Sequence, residues 1–179
     1  MIPAPSDAAR PVGVLIPELA EHLGVAATVD LACDLLAGVD PEPFATEIVY
    51  LTGHEGAHDG WAPYWPRVWG ARALMYVWDE AAAPAVVAGL EDEAWRVAEM
   101  CLKVSSRREL AAAGDAAVRL SSHELPRVRA QAVRVLGVAG DTEHLDAVRG
   151  AEADPDGNVR RAAVRALDLM SIRLDVVDL

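Results

Sequence analysis

Along most of the chain, apolar residues recur at intervals of three and four, and strict alternation is nearly absent. That spacing lines one side of an α-helix and predicts an all-α protein. Before residue 61 it predicts three helices. One runs from Pro17 to Leu23, with proline in its first turn. A second runs from about Thr28 to Ala37 and turns Leu31, Leu35 and Leu36 inward. A third opens at Asp40-Pro41, an aspartate N-cap followed by proline at the first helical position. It carries Phe44, Ile48 and Leu51 and ends near Gly53. Residues 1–11 hold three prolines and none of this pattern, and are expected to be a disordered tail. Residues 12–60 are then an N-terminal helical cap, with the layout of a degenerate repeat.

From residue 61 to about 170 the pattern repeats. Four helix starts can be superimposed: "WPRVWGARAL" from Trp65, "DEAWRVAEMCL" from Asp92, "LPRVRAQAVRVL" from Leu125 and "DGNVRRAAVRAL" from Asp156. Each places an apolar residue three positions in: Val68, Trp95, Val128 and Val159. Pro66 and Pro126 take the first helical position in two starts, and Asp92 and Asp156 the N-cap in the others. Shorter helical segments fall between them, and Gly114-Asp115 and Gly140-Asp141 read as a helix stop followed by an N-cap. Two helices per unit and a period near 30 predict an α–α superhelix, a HEAT/armadillo-like solenoid. The tail 171–179 alternates apolar and polar residues and is expected to close the last unit, as a partial helix or an extended segment.

"VRAQAVRVLGVAGD" and "DPDGNVRRAAVRALDLM" carry an aspartate, a valine–arginine pair, an alanine pair and a closing leucine. In these residues the segment from about 64 to 170 resembles HEAT repeats, in the short form of the bilin-lyase-like HEAT family. The first two units depart from it: Trp69 stands where Arg129 and Arg160 stand, and Trp95 replaces valine. The resemblance implies a stack of helix pairs joined by arginine–aspartate contacts.

Composition narrows the function classes. The chain has 179 residues and a net charge of −12, and Lys103 is its single lysine. Such an acidic chain repels a phosphate backbone, so nucleic acid is not an expected partner. The preference for arginine over lysine looks like GC-rich bacterial coding and carries no function. No uncharged apolar run approaches the roughly 20 residues of a membrane span, and the start "MIPAPSDAARPVG" has no signal-peptide pattern. No membrane partner and a cytoplasmic location are expected. Cys33 and Cys101, each in an apolar helical pattern, read as buried free thiols.

The most conspicuous chemical string is His54-Glu55-Gly56-Ala57-His58, a literal H-E-x-x-H. In a zinc hydrolase it places two imidazoles on one helical turn beside a general base. Here Gly53, Gly56 and Gly60 break the frame, Pro63 and Pro66 follow, and no third ligand has a matching position. A polar linker is expected, with no metal and no cofactor. Ser121-Ser122-His123-Glu124 reads as turn chemistry, without a positioned third group. Arg96, Arg129 and Arg160, with Asp92 and Asp156, are expected to form a ladder between repeats.

The aromatic residues are the best binding candidates. All five tryptophans lie between residues 61 and 95. Trp61, Tyr64, Trp65, Trp69 and Trp78 fit either a packed junction or an exposed hot spot, since tryptophan and tyrosine dominate such spots. The reading that follows is a non-catalytic scaffold or adaptor binding another protein through a concave or aromatic-rich surface. Two alternatives from other classes are a HEAT-like alkylpurine DNA glycosylase, suggested by Trp78-Asp79, and a bilin-lyase-like chaperone. A zinc hydrolase using His54, Glu55 and His58 is the remaining one.

Overall fold

The computed structural model describes residues 2–56 and 60–175. Among these it has ten α-helices, several short 3-10 turns and no strand. The chain packs as two units, residues 1–89 and 90–179. The division falls inside the segment expected to be one repeat array, so the helix start at Trp65 belongs to the first unit. No single described helix is long and apolar enough to cross a membrane.

The first unit contains α1 (Val12–Leu23), α2 (Val25–Leu36), α3 (Ala45–Thr52), α4 (Trp65–Ala73) and α5 (Ala83–Ala88). Helix α1 begins five residues before its expected start and contains Pro17 in its interior. A proline there removes the bond its own N–H would make to the Gly13 carbonyl and crowds that carbonyl, and buried Leu15, Ile16 and Leu19 outweigh the cost. Gly24, with φ of 85°, turns the chain sharply into α2. Helix α3 ends as expected, at Gly53 in the left-handed conformation with φ of 76°. Residues 2–11, expected as a disordered tail, run as irregular chain beside α3, where the Tyr50 hydroxyl donates to the Pro3 carbonyl at 3.1 Å.

Helices α2 and α4 form the main contact of this unit. Their close approach depends on Gly70, where an added Cβ would lie 2.8 Å from the Leu36 nitrogen and 3.0 Å from the Leu35 Cβ. Trp69, beside it, is 2% exposed. The Arg72 guanidinium reaches from α4 to the Leu51 carbonyl, a group the last turn of α3 leaves without a helical partner.

The second unit alternates long and short helices: α6 (Trp95–Arg108), α7 (Gly114–Leu120), α8 (Pro126–Ala139), α9 (Leu145–Gly150) and α10 (Gly157–Leu174). The long helices α6, α8 and α10 pack side by side, with the short ones against them. Val97, Val128 and Val159 are fully buried at the third position of the three long helices. This corrects the expected register. Trp95 is equivalent to Pro126 and Gly157, the first helical residues, and the equivalent of Val128 is Val97. Trp95 was aligned two residues too late because its bulk resembled a core residue. It is half-buried instead, with the Arg96 and Arg127 guanidiniums over its ring at 4.4 and 4.9 Å.

Candidate functional site

Four of the five aromatic candidates come together. Trp65 opens α4, and Trp69 lies one turn later in the core. Trp61 precedes the helix and packs edge-on against both rings, with centroids 5.2 Å from Trp65 and 5.4 Å from Trp69. Tyr64 lies tilted against Trp65 at 5.4 Å. The spacing of four thus has two origins: a helical turn joins Trp65 to Trp69, and a turn through Pro63 folds Trp61 back on them. Trp61 is 42% exposed, and Tyr64 and Trp65 are half-buried. A rigid core ring therefore supports three accessible ones, at low entropic cost for a partner. Trp78 is engaged elsewhere: its indole N–H donates to Glu80 Oε1 at 2.9 Å. Neighbouring Asp79 caps the following turn by accepting the Ala81 N–H at 2.9 Å.

Of the residues expected in an arginine ladder, Arg129 makes the arginine–aspartate link from one helix pair to the next. Arg129 donates to both carboxylate oxygens of Asp154, at 2.7 and 2.8 Å, and to the His123 and Glu124 carbonyls at 2.9 and 3.0 Å. Arg160 repeats the second half of this pattern one unit later, on the Asp154 and Pro155 carbonyls at 2.7 and 3.0 Å. The hydrogen bonds from Arg129, more than any other contact, hold the Asp154 carboxyl below the usual carboxylate range. Arg96 is not in this series. In the corrected register its place belongs to Ala98, and its guanidinium covers Trp95. Nor does Asp156 link repeats: its carboxylate accepts the Asn158 and Val159 N–H groups at the start of α10.

Asp92 has a different role from the expected N-cap. Its carboxylate, three residues before α6 begins, accepts the Ala94 N–H at 2.8 Å. His123 Nδ1 does the same for Leu125 at 3.0 Å, and Asp154 for Asp156 at 2.8 Å. Asp92, His123 and Asp154 thus hold equivalent turns at the same offset before α6, α8 and α10. Ser121, Ser122 and His123 serve this loop, as turn chemistry predicts.

The H-E-x-x-H string does not lie on a helix where it is described. α3 has ended at Thr52, and His54–Gly56 follow in a turn, with the His54 N–H bonded to the Thr52 hydroxyl at 3.1 Å. His58 lies outside the described residues. Among the described residues, Asp115, Glu143 and His144 do bring possible ligand atoms within 4.8 Å of one another. The imidazole of His144, however, accepts the Asp141 N–H on Nδ1 at 2.8 Å, which puts its proton on Nε2. A histidine ligating through Nε2 would carry that proton on Nδ1. The arrangement is a capping box: Asp141 and His144 close the start of the turn before α9.

A family model for HEAT repeats matches residues 115–176. Residues 115–176 carry HEAT repeats. The matched HEAT segment covers α7 through α10, two successive helix pairs, and contains both working arginines, Arg129 and Arg160. No curated protein matches the chain. Within the matched residues, the helix pairs pack on one another as successive repeats do.

Proposed function

We propose that this protein is a non-catalytic adaptor, acting in the cytoplasm, that binds another protein through the aromatic surface at the start of α4. The observation that carries this reading is the cluster of Trp61, Tyr64 and Trp65 supported on buried Trp69. HEAT repeats commonly serve protein interaction, which supports the same class. The unpaired thiols of Cys33 and Cys101 fit a reducing compartment. A lesion-glycosylase reading draws no support from Trp78 and Asp79, both engaged at the start of one helical turn.

The test is affinity capture from the native lysate with the wild-type chain and with Trp61→Ala and Trp65→Ala variants in parallel. The expected result is a stoichiometric protein partner retained by the wild type and lost from both variants. Recovery of the same proteins by all three baits would refute the aromatic surface as the binding site.

A further inference from the structure

The second unit holds an acid-free cationic pocket on an otherwise acidic chain. The face formed by α6, α8 and α10 contains a cavity of about 380 Å3. Its rim carries Arg134 from α8 and Arg161 and Arg165 from α10, and no residue lining it is acidic. Its apolar floor includes Val138, Ala162 and Ala166, where α8 and α10 approach closely at Gly137. Arg134 and Arg161 hydrogen-bond only to neutral amides, Gln131 at 3.0 Å and Asn158 at 2.6 Å. Of the three guanidiniums, none forms an ion pair with a described residue. Several other cations of the unit are neutralised: Arg129 by Asp154, and Lys103 and Arg127 by Glu99.

Three exposed guanidiniums held close together repel one another, and that repulsion is relieved by an anionic ligand. The adjoining cavity shares Arg134 and Asn158, but its Lys103 and Arg127 are paired with Glu99, so the uncompensated positive charge is confined to the three guanidiniums. Residues 90–179 as a whole are net acidic, so the separation of charge is local. A duplex needs a broad basic surface, with about 6–10 phosphate contacts for a typical site, and three guanidiniums fall short of that. A short acidic peptide needs only the patch itself.

We propose that the α6–α8–α10 face binds an acidic segment of a partner protein, whose carboxylates pair with Arg134, Arg161 and Arg165 around an aliphatic side chain seated on Val138, Ala162 and Ala166. This rests on the adaptor reading and names the partner's chemistry at a second surface, apart from the aromatic one. Guanidinium forks favour carboxylates in two-point contact, and the apolar floor selects against a purely acidic chain.

A random 12-residue peptide library selected on the full-length chain tests this. The selected peptides are expected to be enriched in Asp and Glu around an aliphatic residue. They should bind an Arg134→Gln/Arg161→Gln/Arg165→Gln variant at least roughly tenfold more weakly and weaken with added salt. The triple Lys variant should recover only part of the loss, because lysine restores the charge and not the two-point contact, and a Trp61→Ala variant should bind them unchanged. Circular dichroism verifies that the variants are folded. Peptides without acidic enrichment that are lost on Trp61→Ala would overturn this inference and leave the adaptor reading standing. Failure to select any peptide would overturn this inference alone, since the adaptor reading stands or falls on the lysate capture. A short duplex DNA bound more tightly than every selected peptide would overturn the choice of a protein ligand.

Discussion

Replacing Asp154 with asparagine isolates what joins the two HEAT repeats. The carboxylate receives two charge-assisted hydrogen bonds from Arg129 and one from the Asp156 N–H. Asparagine keeps the shape and one oxygen for Asp156, and loses the charge that faces Arg129. The two side chains are only 10% and 13% exposed, so solvent screens the pair poorly. A hydrogen bond to a charged group contributes about 1.5–3 kcal/mol, and stranding one member of a buried pair costs about 3–5 kcal/mol. With Arg129 still held by two loop carbonyls, a loss of about 2–4 kcal/mol is expected from urea denaturation at neutral pH. Asp156→Asn is the control: asparagine caps a helix as well as aspartate, so that variant should lose under about 0.5 kcal/mol. The pH dependence has a definite sign. Asp154 has a depressed folded pKa, so its contribution is complete above the unfolded value near about 4 and disappears as the pH falls through the folded value. The gap between wild type and Asp154→Asn should therefore stay constant from neutral pH to about pH 5 and close in stronger acid. Equal losses for the two variants at neutral pH, or a gap that persists undiminished in strong acid, would refute the account of Asp154 as the charged link.

Gly70→Ala should destabilise the chain by about 1–3 kcal/mol in the same assay, although alanine is the better helix former, because its methyl group would strike the backbone of α2. Trp69→Ala should cost about 3–5 kcal/mol and Trp95→Ala clearly less, since the first ring is buried and the second is half-exposed under two guanidiniums. Thiol titration of the native protein should modify Cys33 slowly and leave Cys101 untouched until unfolding, because burial raises both thiol pKa values and encloses Cys101 completely.

Helix type and the two-helix unit were legible because periodicity records which side of a helix is buried, and Val128 and Val159 are buried where the pattern put them. The register of α6 was not. Large apolar residues mark both core positions and first turns, and nothing local distinguishes Trp95 from Val97. The polar punctuation would have settled it: Asp92, His123 and Asp154 recur every 31 residues, but histidine in an aspartate's role hid the series. Pro17 misplaced the start of α1 because sequence rules put proline in a first turn, whereas tertiary burial tolerates it deeper. The aromatic cluster was half legible. The spacing of Trp65 and Trp69 predicts their contact, and the return of Trp61 depends on a turn that spacing alone does not encode. The arginine-lined cavity was missed because charge was averaged over the chain. Its trace is Arg161 and Arg165, four residues apart on one helix.

The 31-residue series of turns also sets a rule for how this protein can change length. Every turn is secured by a side chain on a backbone N–H two residues ahead, and Arg129 and Arg160 each grip the carbonyls five and six residues behind. These grips are measured from within one unit, so a whole unit carries its own fastening wherever it is inserted. A duplication of residues 125–155 would place a new aspartate in reach of a new arginine and lengthen the stack without retuning its neighbours. A single-residue deletion in the loop from His123 to Leu125 would disengage the turn bond and the Arg129 grip together. In-frame growth by complete units is thus cheap for this architecture, whereas small slips are costly.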